Sequence, residues 1–561
     1  MSYLDLAATS PSTSKDSDSV PPCNARAQRR RTRRTTRPTQ DFRSGWQETT
    51  TFHRQPLKFT GETGPRGDFG GFTPLQIFQL FWSQAVWDMM VCETNRYAQQ
   101  SIDTNPQLQS SWTPTTVAEM MAFVALLLAM GINSMPQYSM YWCTSELLRI
   151  PLYPAVMARN RFTSILRFLH LSDNKIPQPK GSQRDKLLKV RPLLDLVLPT
   201  FLTVYSPGQN LSPDECMIRF KGRLAFKQYM PRKPIKWGMK CFSLNESQTG
   251  YTCAWQLYTG ADVNRPTNDN ASTSDSSNFH PPILTVAGQV VMDLVKEVQH
   301  KGHIIFCDNW YTSPALVCKL SQLGFGFCGT SRYTTLGMPH DSNPKKYTMR
   351  KGDDPRFLEK ADQLCVVWQD KKRVNLLTTI GDCSLTTKKI RCSKSETGFR
   401  DINKPSSVET YNKNMGGTDL AGQCFQYYTH KHRSMKWWKR VLFNMLDICL
   451  LNATVVFNSI ASNQKMSTLE FRISVIEGLL LGWKRSTTQR GQRHSKINIA
   501  AGGIDQAHYP GKNPSGKKRD CVVCSNRRLP NRRKQTRIIC KQCNEPMCVI
   551  PCFEKFHKAS K

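Results

Sequence analysis

The sequence lacks an uninterrupted apolar run long enough to cross a membrane. Its longest apolar run, Met120 to Met130, is far short of the roughly 20 residues that a span requires. The N-terminus also lacks the apolar region of an export signal, so we expect the 20 cysteines to be reduced. In a reducing compartment, clustered cysteines indicate metal ligands and scattered ones indicate ordinary core packing.

Acidic residues are also scarce. The chain has 42 Asp and Glu against 78 Lys and Arg, which gives a formal net charge of +36 over 561 residues. This excess is too large for an ordinary cytosolic enzyme and implies a polyanionic partner, either nucleic acid or an acidic membrane surface. Because no membrane segment is evident, nucleic acid is the favoured partner. The length allows about three or four folded units plus tails.

Residues 1–71 are rich in Ser, Thr, Pro and Arg and show no apolar periodicity, which predicts a disordered tail. Seven arginines fall between Arg26 and Arg37 with no acid among them. Such a block is typical of a nuclear localisation signal or a nonspecific DNA-binding arm, and a merely solvated tail is the alternative.

The chain then becomes helical. Pro74 to Tyr97 carries apolar residues at helical spacing, and a second helix is predicted from an N-cap at Thr113 to Gly131. A further amphipathic helix carries Arg159 and Arg161 near its start. These arginines either face solvent, which is the default expectation, or meet a phosphate.

Three aspartates lie next to predicted strands or helices. The run from His303 to Ser313 predicts a buried strand that ends at Asp308, and Asp214 lies beside an alternating strand of a predicted β-meander. Asp419 follows two glycines and precedes residues of helical character. Two-metal phosphoryl transfer needs acids that converge from separate elements, and Mg²⁺ prefers such oxygen ligands. Taken singly, Asp308 is better explained as a turn or helix-cap residue, and the two further acids shift the balance towards a metal site.

Residues 331–405 resemble an inserted segment with one predicted β-hairpin, Leu364 to Trp368 and Val374 to Ile380. The surrounding sequence is strongly basic.

Near the C-terminus lies the sharpest motif of the chain. Its cysteines and one histidine have the spacing of zinc ligands: Cys521, Cys524, Cys540, Cys543, Cys548, Cys552 and His557. Seven ligands exceed one tetrahedral site and two sites need eight, so His508 is the candidate for the missing ligand, with a loop histidine as the alternative. Basic residues between the cysteine pairs predict a DNA-facing surface and include Arg527, Arg528, Arg532 and Arg533. The alternative to zinc ligation is disulfide bonding of these cysteines. The alternative to DNA binding is a zinc-dependent module that recognises proteins or histones.

Four ordered motifs together resemble the piggyBac family of DNA transposases. They are Asp214–Arg223, Arg232–Lys240, Cys307–Ser313 and Asn414–Asp419, and the likeness extends from about residue 72 to the C-terminus. The resemblance implies a multidomain α+β protein. Its expected parts are an RNase H-like α/β catalytic core with an insertion, a split helical domain for dimerisation and DNA binding, and a C-terminal cross-brace zinc module.

On this basis the predicted domains follow the tail in order. The helical domain covers 72–205 and 431–500, the catalytic domain 206–330 and 406–430, the insertion 331–405 and the zinc module 501–561.

The resemblance also implies the chemistry. Asp214, Asp308 and Asp419 would be catalytic ligands of Mg²⁺ or Mn²⁺, and the C-terminal module would hold two Zn²⁺. The expected partner is double-stranded DNA, at transposon ends and TTAA targets, with excision through hairpin ends by a nuclear homodimer.

Three further positions follow from the motifs. Arg223 and Lys236 are candidate DNA contacts, and Trp437 matches a family tryptophan that either stacks on a distorted DNA end or packs in the core. Members of the family often have a further aspartate three residues after Asp419, where this chain has Gly422. That departure favours the alternative function, a domesticated DNA- or chromatin-binding protein that does not cut.

Overall fold

A computed structural model describes residues 45–52, 57–179, 184–260, 284–299, 301–391, 398–483, 508, 510–526 and 532–558. The chain divides into two compact units, residues 1–485 and 486–561, which we describe separately. The arginine block at 26–37, the predicted loop at 262–280, Arg527 and Arg528 lie outside the described residues.

In the sequence of the first unit, helices precede and follow a long segment that contains most of the strands. Its helices are α1 (Pro74–Phe81), α2 (Gln84–Thr104), α3 (Val117–Ile132), α4 (Leu152–Val156), α5 (Arg159–Phe168), α6 (Arg191–Val197), α7 (Thr200–Val204), α8 (Val286–Val295), α9 (Pro314–Gln322), α10 (Ser406–Asn414), α11 (Gly417–Gln426), α12 (Trp437–Ser459) and α13 (Thr468–Leu480). Its strands are β1 (Gln47–Glu48), β2 (Gly64–Pro65), β3 (Tyr205–Ser206), β4 (Asn210–Arg219), β5 (Lys227–Tyr229), β6 (Trp237–Glu246), β7 (Thr252–Leu257), β8 (Ile304–Cys307), β9 (Gly326–Thr330), β10 (Arg356–Lys360), β11 (Gln363–Gln369), β12 (Arg373–Thr378), β13 (Leu385–Arg391) and β14 (Phe399–Pro405).

One mixed sheet organises these strands in the order β1-β10-β11-β12-β9-β8-β4-β6-β5, with β7 also paired to β6. Strand β8 runs parallel to β4 and to β9, whereas β6 runs antiparallel to β4. All four residues of β8 are buried, as expected for a parallel strand covered on both faces. The prediction of a buried strand ending before Asp308 is therefore confirmed.

The predicted hairpin within residues 331–405 is also confirmed. Strands β11 and β12 pair antiparallel with Trp368 opposite Val374, and β12 continues onto β9. The hairpin thus extends the main sheet.

Helices that are distant in sequence share one core. Helix α1 packs against α12 and α13, and α3 packs against α13. A buried ion pair between Asp447 of α12 and Arg472 of α13, with an O–N distance of 2.7 Å, joins two of these helices. Helix α12 is long and apolar enough to span a membrane, but 89% of its most apolar window is buried inside the protein, which is typical of a core helix.

Two helix boundaries differ from the predictions. The helix predicted from Pro74 to Tyr97 is two helices, because the chain is extended at Ser83 between α1 and α2. The N-cap predicted at Thr113 is wrong: the Thr116 side chain accepts from the N–H of Glu119 and starts α3.

Arg161 of α5 bonds to Glu119 of α3 (Nε–Oε1 2.7 Å), so this arginine links the two helices.

Ordered structure begins before residue 71, where the tail was predicted to end. Strand β1 pairs with β10, Trp46 Nε1 donates to the carbonyl of Gly337 at 2.9 Å, and Phe52 is buried. These two aromatic side chains anchor an otherwise polar segment, and their isolation in the sequence explains why periodicity did not reveal it.

The second unit is small. It contains β15 (Pro510–Lys512), β16 (Arg519–Asp520), β17 (Gln535–Thr536), β18 (Ile538–Cys540) and α14 (Glu554–Lys558). Its buried cluster consists of Cys521, Cys540, Met547 and Cys552. A core of this size is too small to stabilise a fold by apolar burial alone, which indicates a need for additional cross-links such as metals.

Candidate functional site

Asp214 and Asp308 lie side by side at the centre of the sheet. In the parallel pairing of β4 and β8, Leu211 is opposite Ile305. Each aspartate follows its member of this pair by three residues, so the two carboxylates are at the same level on adjacent strands. Asp308 directly follows the carboxyl end of β8, where open α/β sheets bind ligands, whereas Asp214 lies midway along β4.

The backbone around Asp308 forms a turn into α9. The N–H of Trp310 donates to Asp308 Oδ1 at 2.8 Å, and the hydroxyl of Thr312 donates to the Asp308 carbonyl at 2.8 Å. The turn role that the sequence left open is therefore present.

Two charged residues near Asp214, Lys233 and Glu215, were not predicted as part of this site from the sequence. Lys233 Nζ lies 3.8 Å from Asp214 Oδ2 and 3.8 Å from Glu215 Oε1. The hydroxyl of Tyr311 donates to Glu215 Oε2 at 3.4 Å. Lys233 lies inside the motif Arg232–Lys240 and Glu215 directly follows Asp214, and this adjacency was the available signal.

Burial and like charge disfavour the ionised aspartates. Burial raises the pKa of Asp214 to about 7, with Lys233 lowering it and the charges of Glu215 and Asp308 raising it further. Burial likewise raises the pKa of Asp308, against the hydrogen bond from the Trp310 N–H that lowers it. A divalent cation would relieve this repulsion, so the donor set fits Mg²⁺ or Mn²⁺.

Asp419 lies in the first turn of α11, which packs against β4 and β6. The N–H of Gly417 donates to Ser212 Oγ at 2.9 Å, two residues before Asp214 on the same face of β4. A Cβ at Gly417 would lie 2.6 Å from Ser212 Oγ and 2.9 Å from the carbonyl of Glu246, so this close approach requires glycine. The exposed carboxylate of Asp419 is thereby carried on a helix seated on the strand of Asp214.

The three aspartates are not in mutual contact. Within the described ranges, the groups of three or more ligand side chains whose donor atoms all lie within 4.8 Å are both in the second unit. The structure therefore places the three acids on neighbouring elements without drawing their oxygens together.

The candidate DNA contacts of the first unit lie around strands β5 and β6. Arg223 precedes β5 and Lys236 precedes β6, and both side chains are exposed. Trp437, at the start of α12, is partly buried and packs edge-on against Phe226 with a centroid distance of 5.4 Å. Trp437 is thus at least in part a packing residue.

The second unit brings the eight predicted zinc ligands together in two groups of four. One group is Cys521, Cys524, Cys548 and Cys552, and the other is His508, Cys540, Cys543 and His557. The two groups alternate along the chain, which is the cross-brace arrangement. The placement of His508 beside Cys540 and Cys543 fits its assignment as the eighth ligand.

The distances fit tetrahedral zinc. A Zn–S bond of about 2.3 Å places neighbouring sulfurs roughly 3.8 Å apart, and the Sγ atoms of Cys524 and Cys548 are 3.7 Å apart. His508 Nδ1 lies 3.1 Å from Cys543 Sγ, and His557 Nε2 lies 3.6 Å from the same sulfur. His557 Nδ1 is 2.8 Å from the carbonyl of Phe553, a contact that directs Nε2 towards the cluster.

Two of the four predicted DNA-binding arginines of this unit are described. Arg532 and Arg533 are exposed. Arg533 Nε also bonds to Asp520 Oδ1 at 3.1 Å, so its charge is partly neutralised.

Comparisons with known proteins cover most of the chain. A family profile described as "Transposase IS4" matches residues 73–454, and a "DDE_Tnp_1-like zinc finger" profile matches residues 505–558. The Homo sapiens PiggyBac transposable element-derived protein 2 is 26% identical over 79% of this chain and 74% of its own length. Its human relative, PiggyBac transposable element-derived protein 3, is 27% identical over 88% and 78% of the two chains.

A similar fold occurs in a solved structure. The cryo-EM structure of a piggyBac transposase synaptic complex with hairpin DNA has a TM-score of 0.63 and 23% identity, and the match covers 87% of this chain and 98% of that one. At this identity the likeness shows the fold.

Proposed function

The chain belongs to the piggyBac family of DNA transposases, and on that premise we propose that it is a cut-and-paste transposase that excises an element through hairpin ends and joins it into TTAA targets. The observation that carries the proposal is that Asp214 on β4 is level with Asp308, which directly follows the adjacent parallel strand β8. Asp419 on α11 supplies the third carboxylate.

We assign the catalytic domain to an RNase H-like core. Strands β7, β6 and β4 are antiparallel neighbours, and β8 and β9 follow parallel to β4. This order, with one acid on β4 and another directly after β8, supports the assignment.

Asp214, Asp308 and Asp419 would hold Mg²⁺ or Mn²⁺, which activates a nucleophilic oxygen and stabilises the leaving oxygen of a phosphodiester. The chain itself supplies the positioning. Lys233 lies 3.8 Å from both Asp214 and Glu215, where its single positive charge attracts both acids, and the Trp310 N–H orients the Asp308 carboxylate.

DNA binding follows from charge and exposed rings near this site. Tyr229 and Trp237 are 53% and 44% exposed, and their ring centroids are 4.5 Å apart. Lys227 Nζ lies 5.3 Å from the Trp237 ring. Neighbouring exposed rings beside a lysine suit the distorted or unpaired bases of a DNA end. The zinc module, with two Zn²⁺, and the basic N-terminal segment would add phosphate contacts, in a nuclear homodimer.

The second candidate is a domesticated protein that binds DNA or chromatin without cleavage. Gly422 favours it, because the position of a frequent family aspartate carries no carboxylate. The names of the human relatives also describe transposable element-derived proteins.

The test uses the full chain with DNA that carries the inverted repeats flanking its gene. With Mg²⁺ we expect nicking, hairpin formation and insertion at TTAA, and no reaction from a variant with all three aspartates changed to Asn. Specific end binding without cleavage in either Mg²⁺ or Mn²⁺ would establish the second candidate instead.

A further inference from the structure

Two cysteines that have no part in the proposed site or in the zinc module are in contact beside Asp214. Cys216 on β4 is directly opposite Cys241 on β6. Their Sγ atoms are 2.8 Å apart, and the Cys241 thiol lies 3.4 Å from the Cys216 carbonyl. Both are free thiols.

The backbone geometry suits a disulfide. The N–H of Phe220 donates to the carbonyl of Trp237, and by the alternation of an antiparallel ladder the Cys216–Cys241 pair is of the same hydrogen-bonded kind. Such pairs have Cα atoms about 5.5 Å apart, within the roughly 4.4–6.8 Å that disulfides span. From 2.8 Å, the sulfurs need to approach by less than about 1 Å to reach bonding distance.

The position couples the pair to the carboxylates. Cys216 lies two residues beyond Asp214 on the same face of β4, and Cys241 lies two residues before Ser243, the partner of Asp214 on β6. Cys216 is partly exposed and accessible to a small oxidant, whereas Cys241 is buried. A new bond at this rung therefore acts on the strand segment that carries Asp214.

We propose that Cys216 and Cys241 form a reversible oxidation site, in which a disulfide between β4 and β6 shifts Asp214 and lowers DNA cleavage. The oxidant is a peroxide. Sulfur of Cys216 attacks one peroxide oxygen, the O–O bond breaks and water leaves, which gives a sulfenic acid. The Cys241 sulfur then displaces a second water, so that two thiols and one hydrogen peroxide yield one disulfide and two waters.

The expected effect is large because catalytic geometry is sensitive. A misplacement of about 1 Å costs on the order of 10²-fold in rate. The sulfurs close by less than about 1 Å, so Asp214 moves by a fraction of that distance, and we expect oxidation to lower nicking about tenfold and a dithiol to restore it. The rate effect rests on the proposed function, whereas formation of the disulfide does not.

The experiment compares the full-length zinc-loaded wild type with Cys216→Ser and with Cys318→Ser, a control that removes another partly exposed thiol. Each protein is treated with hydrogen peroxide, then mapped by mass spectrometry after a digestion that separates Cys241 from Cys253. Nicking, Mn²⁺ affinity and zinc content are measured before and after a dithiol. Because all three proteins share the zinc cysteines, damage to that module affects them equally.

We expect a Cys216–Cys241 linked peptide in the wild type and in Cys318→Ser, with reversible loss of nicking, and full retention of nicking in Cys216→Ser. Cys241→Ala, as a second variant, should behave like Cys216→Ser. Absence of the linked peptide while other thiols react would overturn the proposal, as would a complete disulfide with unchanged nicking and Mn²⁺ affinity. If reduced wild type does not nick DNA, but Mn²⁺ affinity falls on oxidation, the oxidation site stands and the proposed function fails.

Discussion

Replacement of Asp308 by Asn distinguishes two roles of this residue, that of a catalytic acid and that of a turn residue. Asparagine keeps an oxygen that accepts the Trp310 N–H, now bonded to Oδ1 at 2.8 Å. It removes the negative charge that, with Glu215, raises the pKa of Asp214. The turn therefore survives, and only the charge is removed.

The expected changes in activity and stability have opposite signs. Loss of one of three metal ligands should lower nicking by about 10³-fold, or about 4 kcal/mol in activation free energy. Because the pKa of Asp308 is raised on folding, its contribution to stability is present below the unfolded pKa and is lost as pH rises through the folded one. At pH 8 without metal, the neutral Asn should therefore raise the free energy of unfolding.

The assay pairs single-turnover nicking with denaturant unfolding at pH 8 in EDTA, and with Mn²⁺ titration. Asp103→Asn is the matched control, because Asp103 is exposed and its Oδ1 also accepts one hydrogen bond, from Gln99. A variant that lost both nicking and metal-free stability would make Asp308 a structural turn residue. Unchanged nicking would remove it from the mechanism.

Four further outcomes are expected. Gly422→Asp should be accommodated, because a Cβ there meets no atom within 4 Å, and should raise Mn²⁺ affinity by up to about tenfold in a calorimetric titration; an unchanged affinity would detach this position from the metal site. His508→Ala should lower bound zinc from two ions per chain to one by elemental analysis, and chelation should unfold the isolated second unit by circular dichroism; two ions in the variant, or a retained fold, would contradict this. With its pKa raised to about 7 by burial, Asp214 must release a proton to bind metal, so Mn²⁺ affinity should climb by up to about tenfold per pH unit from about pH 5 to 7 and level off above; Asp214→Asn should flatten that rise. Deleting residues 1–44 should make the salt dependence of DNA affinity shallower by about 0.9 in the log–log slope for each phosphate that the segment no longer neutralises, while specific end binding is retained; a shortened chain that failed to distinguish the ends would make the segment a recognition element.

Local patterns predicted the parts of the site that depend on neighbouring residues. The apolar run before Asp308 is sufficient to predict β8, because a central parallel strand must be apolar on both faces. The spacing of Cys521 and Cys524 likewise predicts a metal pair, because two thiolates at that separation reach one ion.

Contacts between distant segments were not predictable in this way. The salt bridge of Lys233 to Asp214 depends on how the loop after β5 folds back. The sequence places Lys233 inside a motif but does not show which acid it contacts. Helix α11 packs closely on β4, and the only sign of this in the sequence is the glycine at position 417. That Gly417 contacts Ser212 is known only from the structure. The break at Ser83 escaped prediction because apolar spacing continues across it.

The alternation of zinc ligands along the second unit has a consequence for synthesis of the protein. One group of four spans Cys521 to Cys552, and the other spans His508 to His557. Most of the unit is therefore synthesised before either group of ligands is complete. The two groups are then completed within a few residues of each other. Zinc loading and folding of this unit should accordingly occur after its translation and as one event, so a chain interrupted before residue 552 would carry neither finished site.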